Sequence, residues 1–132
     1  YLRMQLFQVT ESSELFPSPG ASFGEYVASF GSADLLIVFG LRRRPARLRL
    51  ILQQLVDTGA SVLYITDNKV ARQSAVTWHV KCACDSTEPL DNHVAVIGIC
   101  HALVNETIAL AGHAGRKRLA SIEARHDALG EF

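Results

Sequence analysis

The sequence predicts an α/β fold, a three-layer α/β/α sandwich around a parallel sheet of about four strands. Three observations carry that prediction. Residues 35–39 (Leu-Leu-Ile-Val-Phe) form an unbroken apolar run of strand length. A strand buried on both faces reads this way, because it has no wet side to alternate with. Residues 62–66 repeat the pattern, and between the two runs Leu48, Ile51, Leu52, Leu55 and Val56 make a helical stripe. Strands that alternate with helices at such spacings belong to parallel sheets with right-handed crossovers.

Taken in order, residues 4–9 alternate weakly, Met4, Leu6 and Val9 against Gln5 and Gln8, and are expected to form a first strand. A polar loop with Ser12 and Ser13 follows, and Pro17, Pro19 and Gly20 exclude regular structure after it. Phe23, Tyr26, Val27 and Phe30 fall at i, i+3, i+4 and i+7, so a short helix is expected over residues 21–30. The central run 35–39 ends at Gly40, and Arg42, Arg43 and Arg44 lead to Pro45, which suits the first turn of a helix over 45–58 closed by Gly59. Residues 62–66 form the next strand, residues 70–76 a helical turn, and residues 80–84 a fourth strand. Residues 90–111 are apolar nearly all round and predict a long helix buried between the sheet and another surface. Gly112 and Gly115 break it, and Leu119, Ile122 and Leu129 stripe a last helix.

The 132 residues are expected to form a single domain, and Tyr1-Leu-Arg-Met reads as a chain cut just ahead of a strand. Lys plus Arg and Asp plus Glu each number 13, so there is no overall basic field for nucleic acid. The three cysteines, Cys82, Cys84 and Cys100, form no disulfide framework, and a reducing cytoplasm is the expected compartment. The apolar stretch 94–111 is interrupted by His101, Asn105 and Glu106 and is not read as membrane-spanning.

In open α/β sheets ligands sit at the carboxyl ends of the strands, where helix N-termini offer free N–H groups to anions. Four loops would share that rim: residues 10–14, 40–44, 67–69 and 85–88. Arg42 and Arg43 could grip a phosphate or carboxylate in a bidentate way, against the plainer reading of a solvated basic loop. Three arginines ahead of a helix N-terminus oppose the macrodipole, which favours an anion there. Ser86 and Thr87 could donate to sugar or phosphate oxygens and Asp85 could accept from sugar hydroxyls. The alternative is that these three cap the long helix. Ser12 and Ser13 are candidates on the first loop. His79, Cys82 and Cys84 invite a metal reading, but no second pair completes four ligands, and inert buried thiols are the better account.

The series Asp34-Leu-Leu-Ile-Val-Phe-Gly-Leu-Arg-Arg-Arg-Pro45, then Thr58-Gly-Ala-Ser-Val-Leu-Tyr-Ile-Thr-Asp67, then Asp85-Ser86 ahead of a long helix, resembles the sugar-isomerase (SIS) domain of RpiR/MurR-type bacterial transcription regulators. The closing residues 122–132 are similar to the end of those regulators. The resemblance implies a flavodoxin- or Rossmann-like sandwich that senses a phosphorylated sugar or sugar acid and associates as a homodimer or tetramer. DNA would be bound only through an N-terminal helix-turn-helix domain missing here, along with the first SIS strand and its glycine/serine loop. Where the family carries a Ser-Phe-Arg-Arg type loop, this chain has Gly40-Leu41-Arg42-Arg43, so the arginines match and the serine is glycine. The resemblance implies Gly40, Arg42 and Arg43 as effector-binding positions, and no cofactor or metal. SIS-fold phosphosugar isomerases instead carry a hydroxyl-rich Ser-x-Ser-Gly-x-Thr loop, which is missing. An aldose–ketose isomerase is therefore the alternative, and no catalytic residue is assigned.

Overall fold

The apolar runs 35–39 and 62–66 become neighbouring strands of one sheet. A computed structural model describes residues 1–131, with strands β1 (Leu35–Gly40), β2 (Ser61–Asp67) and β3 (Trp78–Cys82) in the order β1-β2-β3. Both pairings are parallel, with Val38 opposite Tyr64 and Tyr64 opposite His79. The helices are α1 (Leu2–Val9), α2 (Phe23–Ser29), α3 (Leu48–Asp57) and α4 (Val94–Leu129). The α/β class and the parallel sheet are as predicted, while the strand count among the described residues is three rather than four.

The missing strand is α1. Leu2 and Val9, both buried, lie seven residues apart and so share a helical face, and the weak alternation at 4–9 concealed that stripe. The loop carrying Ser12 and Ser13 therefore follows a helix and is not a strand-end loop. Two further expectations change in the same direction. The helix expected from Pro45 starts at Leu48, after a turn closed by the Leu48 N–H on the Pro45 carbonyl at 3.0 Å. Residues 70–76 form bends and no helical turn.

The described chain divides into two compact units, Phe16–Val96 and Tyr1–Leu15 with the residues from Ile97 onward. In the first, β2 is the central strand and the one buried on both faces, with Val62 and Ile65 fully covered. β1, predicted to be so, is an edge strand with Leu35 54% and Phe39 42% exposed. The two strands carry similar apolar runs, and only sheet order separates them. One core gathers Leu36 from β1, Leu52 and Leu55 from α3, Val62 and Tyr64 from β2, and Val76, with Phe23, Val27 and Phe30 packed on it. The stripe read from the sequence is the face that α3 buries, and each fully covered leucine contributes about 1.5–3 kcal/mol. Gly59 (φ +82°) ends α3 in the left-handed conformation, its N–H on the Val56 carbonyl at 3.0 Å. α2 opens with a reciprocal cap between Ser22 and Glu25.

In the second unit α1 runs beside α4. The Tyr1 hydroxyl is 3.2 Å from His101 Nδ1, and the Arg118 guanidinium donates to the Phe7 carbonyl at 2.9 Å while its carbon lies 5.5 Å from the Phe7 ring centroid. Gly112 (φ 55°, ψ −124°) kinks α4 as expected, but Gly115 stays inside the helix, where it is buried beside Ala111 and Val9. The prediction that residues 90–111 form a buried helix needs correcting twice. The helix begins at Val94, and its buried stripe is narrow, Val96, Cys100 and Val104 at successive four-residue steps. Val94, Ile97 and Leu110 are exposed, and only 17% of the most apolar 18 residues is buried. By length and composition alone this helix could cross a membrane.

Candidate functional site

Parallel pairing brings the carboxyl ends of β1, β2 and β3 to one rim, and each is followed there by charged residues. The segments involved are 41–47, 68–77 and 83–93. Three ion pairs join them pairwise. Arg42 reaches from the first segment to Asp91 in the third at 2.7 Å. Arg44 pairs with Asp67 at the end of β2 and also donates to the Gly40 and Leu41 carbonyls at 3.2 and 3.3 Å. Lys69 in the second segment reaches Asp85 in the third at 2.9 Å.

The three pairs differ in weight. Lys69 and Asp85 are both about two-thirds exposed, where a pair contributes between zero and about 1 kcal/mol. The Arg42 side chain is 53% exposed and Asp91 16%. Asp67 is 8% exposed and Arg44 31%, so this pair is the best shielded of the three. Burial alone would push the Asp67 carboxyl up. The Lys69 N–H at 2.8 Å, the Arg44 bond and the charges of Arg44 and Lys69 outweigh burial and hold it below the ordinary carboxylate range.

Of the residues nominated from sequence, Arg42 and Asp85 are thus engaged by the protein's own charges. Arg42 and Arg44 reach toward the other strand-end segments, each paired with one of the chain's own acids. Arg43 is exposed and makes no ion pair or hydrogen bond among the described residues. Ser86 Oγ accepts from the Glu88 N–H at 3.0 Å, a local turn, and Thr87 is exposed. Neither they nor Asp85 cap α4, whose first turn is met instead by Asn92 Oδ1 accepting from the Val94 N–H at 2.9 Å. Ser12 and Ser13 belong to the other unit, where Ser13 Oγ donates to the Arg3 carbonyl at 3.5 Å and Arg3 Nε donates to the Ser13 carbonyl at 3.3 Å. Gly40 is buried, and a Cβ built on it would overlap the hydroxyl and ring of Tyr64. An aromatic hydroxyl from β2 therefore occupies the space a side chain at position 40 would need.

Sequence reasoning missed Tyr64 and the network beside it. The His79 and Tyr64 rings stack with centroids 5.2 Å apart. His79 Nδ1 accepts from the Gln73 N–H at 3.0 Å, which leaves the proton on Nε2, 2.8 Å from Thr66 Oγ1. Thr66 Oγ1 in turn donates to the Asp67 carbonyl at 3.0 Å. Protonating Nδ1 would set two donors against each other. Burial, with Lys81 and Arg72 adding charge repulsion, accordingly lowers the His79 pKa below its usual 6.5. Below about pH 6.5 the unfolded chain takes up a proton that the folded chain refuses, so stability falls as pH drops until the folded pKa is passed. Urea midpoints at pH 7.5 and 5.5 are expected to differ in that direction, and the difference should shrink in His79→Gln.

Cys82 and Cys84 are buried with their sulfurs 3.8 Å apart, and Cys82 Sγ donates to the Thr66 carbonyl at 3.2 Å. Among the described residues no three His, Cys, Asp or Glu side chains converge as metal ligands.

A three-strand parallel sheet with helices packed on it places this chain in the α/β class. The particular fold is that of a sugar isomerase domain. The chain is similar to the solved sugar isomerase domain of an RpiR transcription factor from Sphaerobacter thermophilus, with a TM-score of 0.79 over 93% of this chain and 69% of that one, at 15% identity. No family model matches the sequence, and no curated protein matches it.

Proposed function

We propose that this chain is the effector-sensing and subunit-associating part of a bacterial transcription regulator, acting in the cytoplasm. The observation that carries the proposal is the likeness to a transcription factor's domain over nearly the whole chain. The rim supplies the chemistry. Its three ion pairs cancel, and Arg43, Arg47 and Arg72 against Glu88 leave the strand-end segments with a surplus of positive charge, Arg43 making no ion pair among the described residues. A phosphorylated sugar or sugar acid would take Arg43 directly and draw Arg42 from the half-exposed Asp91 pair, while Ser86, Thr87 and the rim carboxylates meet its hydroxyls. The reading is of a binder and not an enzyme, since it rests on a regulator's domain and three of the four rim acids, Asp67, Asp85 and Asp91, are held in ion pairs.

Association would use exposed apolar residues of α4, Val94 and Ile97 on one flank of its buried stripe and Leu110 on the other. An effector that binds one arrangement of the paired subunits better than another would shift their equilibrium. Thermal-shift titration with ribose-, arabinose- and hexose-phosphates is expected to raise the melting temperature for at least one of them. Arg42→Ala with Arg43→Ala should abolish that rise. Turnover of any of these sugars would replace the sensor by an isomerase, and an unchanged shift in the double variant would remove the rim site. Sedimentation should show a dimer that Leu110→Glu dissociates. A monomer that floats with lipid vesicles would move α4 to a membrane instead.

A further inference from the structure

Adjoining the rim segments 41–47 and 68–77, the α3 face of the sheet carries a cleft of about 530 Å³. Its floor is Tyr64, three residues before the end of β2, and its walls are α3 and the segment ending at Val76. That volume falls within the range of small-molecule sites, which are mostly apolar with a few placed polar groups. Leu48, Leu52, Val56, Val70 and Val76 supply the apolar lining. The ionisable acids are absent from the lining, whereas two arginines, Arg44 and Arg49, are part of it. Arg49 makes no ion pair among the described residues. Tyr64 is 2% exposed, yet its hydroxyl makes no hydrogen bond among the described residues and lies against Gly40 at the cleft. Among the described residues no fully buried side-chain oxygen or nitrogen lacks a partner, so this hydroxyl keeps contact with solvent at the cleft, where a ligand could accept from it.

We propose that this cleft, which adjoins the rim and shares Arg44 with it, is a second ligand site for a small carboxylic acid with an apolar body. The aliphatic lining takes the body. The carboxylate accepts from the Tyr64 hydroxyl and pairs with Arg49, and Gln73 on the opposite wall is held in place through its N–H bond to His79. A phosphosugar suits this cleft poorly, because its hydroxyls would face leucine and valine. Gly40 is part of the design, since any side chain there would displace the hydroxyl that the acid meets.

The test titrates the whole chain with octanoate and phenylacetate, with octanamide as the neutral match, following backbone amide resonances. Both acids are expected to shift the resonances of α3 and residues 70–76. Octanamide should bind about ten-fold more weakly, because a hydrogen bond to a charged group is worth at least that factor. Tyr64→Phe keeps the ring in the core and removes only the hydroxyl, and it should weaken octanoate by about ten-fold, as should Arg49→Gln. Arg43→Ala, which would impair the rim, should leave octanoate binding unchanged, so the two sites can fail independently. The proposal is overturned by no shifts at about 10 mM of either acid, by equal binding of octanamide, or by octanoate binding that neither variant weakens.

Discussion

Gly40→Ser is expected to destabilise the chain by about 3 kcal/mol, a large loss for a surface-loop neighbour and an overpacking effect. The new Cβ would enter the volume of the Tyr64 hydroxyl and ring. Neither side can yield easily. Gly40 is paired with Thr66 in the parallel ladder, and Tyr64 is held by the α3 core on one side and the His79 ring on the other. Tyr64→Ala alone should cost about 3–5 kcal/mol through the cavity it leaves. The double variant should cost clearly less than the two together, because each substitution removes what the other collides with or vacates. Urea unfolding of the four proteins measures this coupling. Simple additivity would mean that the ring moves aside freely and that glycine at position 40 has no packing reason.

The second large effect concerns Arg44. Arg44→Ala should cost about 2–4 kcal/mol, since it leaves the Asp67 carboxylate 8% exposed with only the Lys69 N–H and charge to answer it. Asp67→Asn should cost less, because an Arg44 side chain 31% exposed can take up water. The inequality is the test, and a larger loss in Asp67→Asn would contradict it. The pH behaviour follows with a definite sign. Asp67 titrates below its unfolded value, so its contribution is full above about pH 4 and is lost as pH falls through the lower folded value. Arg44→Ala should bring acid unfolding to a higher pH. Arg42→Ala, whose pair is half exposed, should barely move it.

Much of the sheet unit was legible in the chain because its signals are local. The stripe Leu48-Ile51-Leu52-Leu55, the turn at Gly59 and the apolar run 62–66 each specify one element and agree with their neighbours. Residues 2–9 were misread because so short a segment fits both periods, and the choice is made by contacts with residues a hundred positions away, such as Tyr1 with His101. Burial of β1 was overstated because its apolar run matches that of β2, while edge or centre is a property of sheet order. The candidate site was legible as a place and much less as a set of partners. That Arg42 would choose Asp91 and Arg44 would choose Asp67 depends on segment paths with no local code. Tyr64 carried no signal as a site residue at all, since its importance lies in a register that sets it beside Gly40.

The two margins of the sheet are not equivalent. Along β3 the ladder ends beside His79 and Lys81, whose polarity discourages a further chain from docking. Along β1 the residues are Leu-Leu-Ile-Val-Phe-Gly, without a single charge, and no strand lies beyond it among the described residues. Its outward amides and carbonyls form an open template, and an extended polypeptide that zipped onto it would continue the greasy line of Leu35 and Phe39. Growth of this sheet, whether into a larger domain or into unwanted fibres, starts on that side.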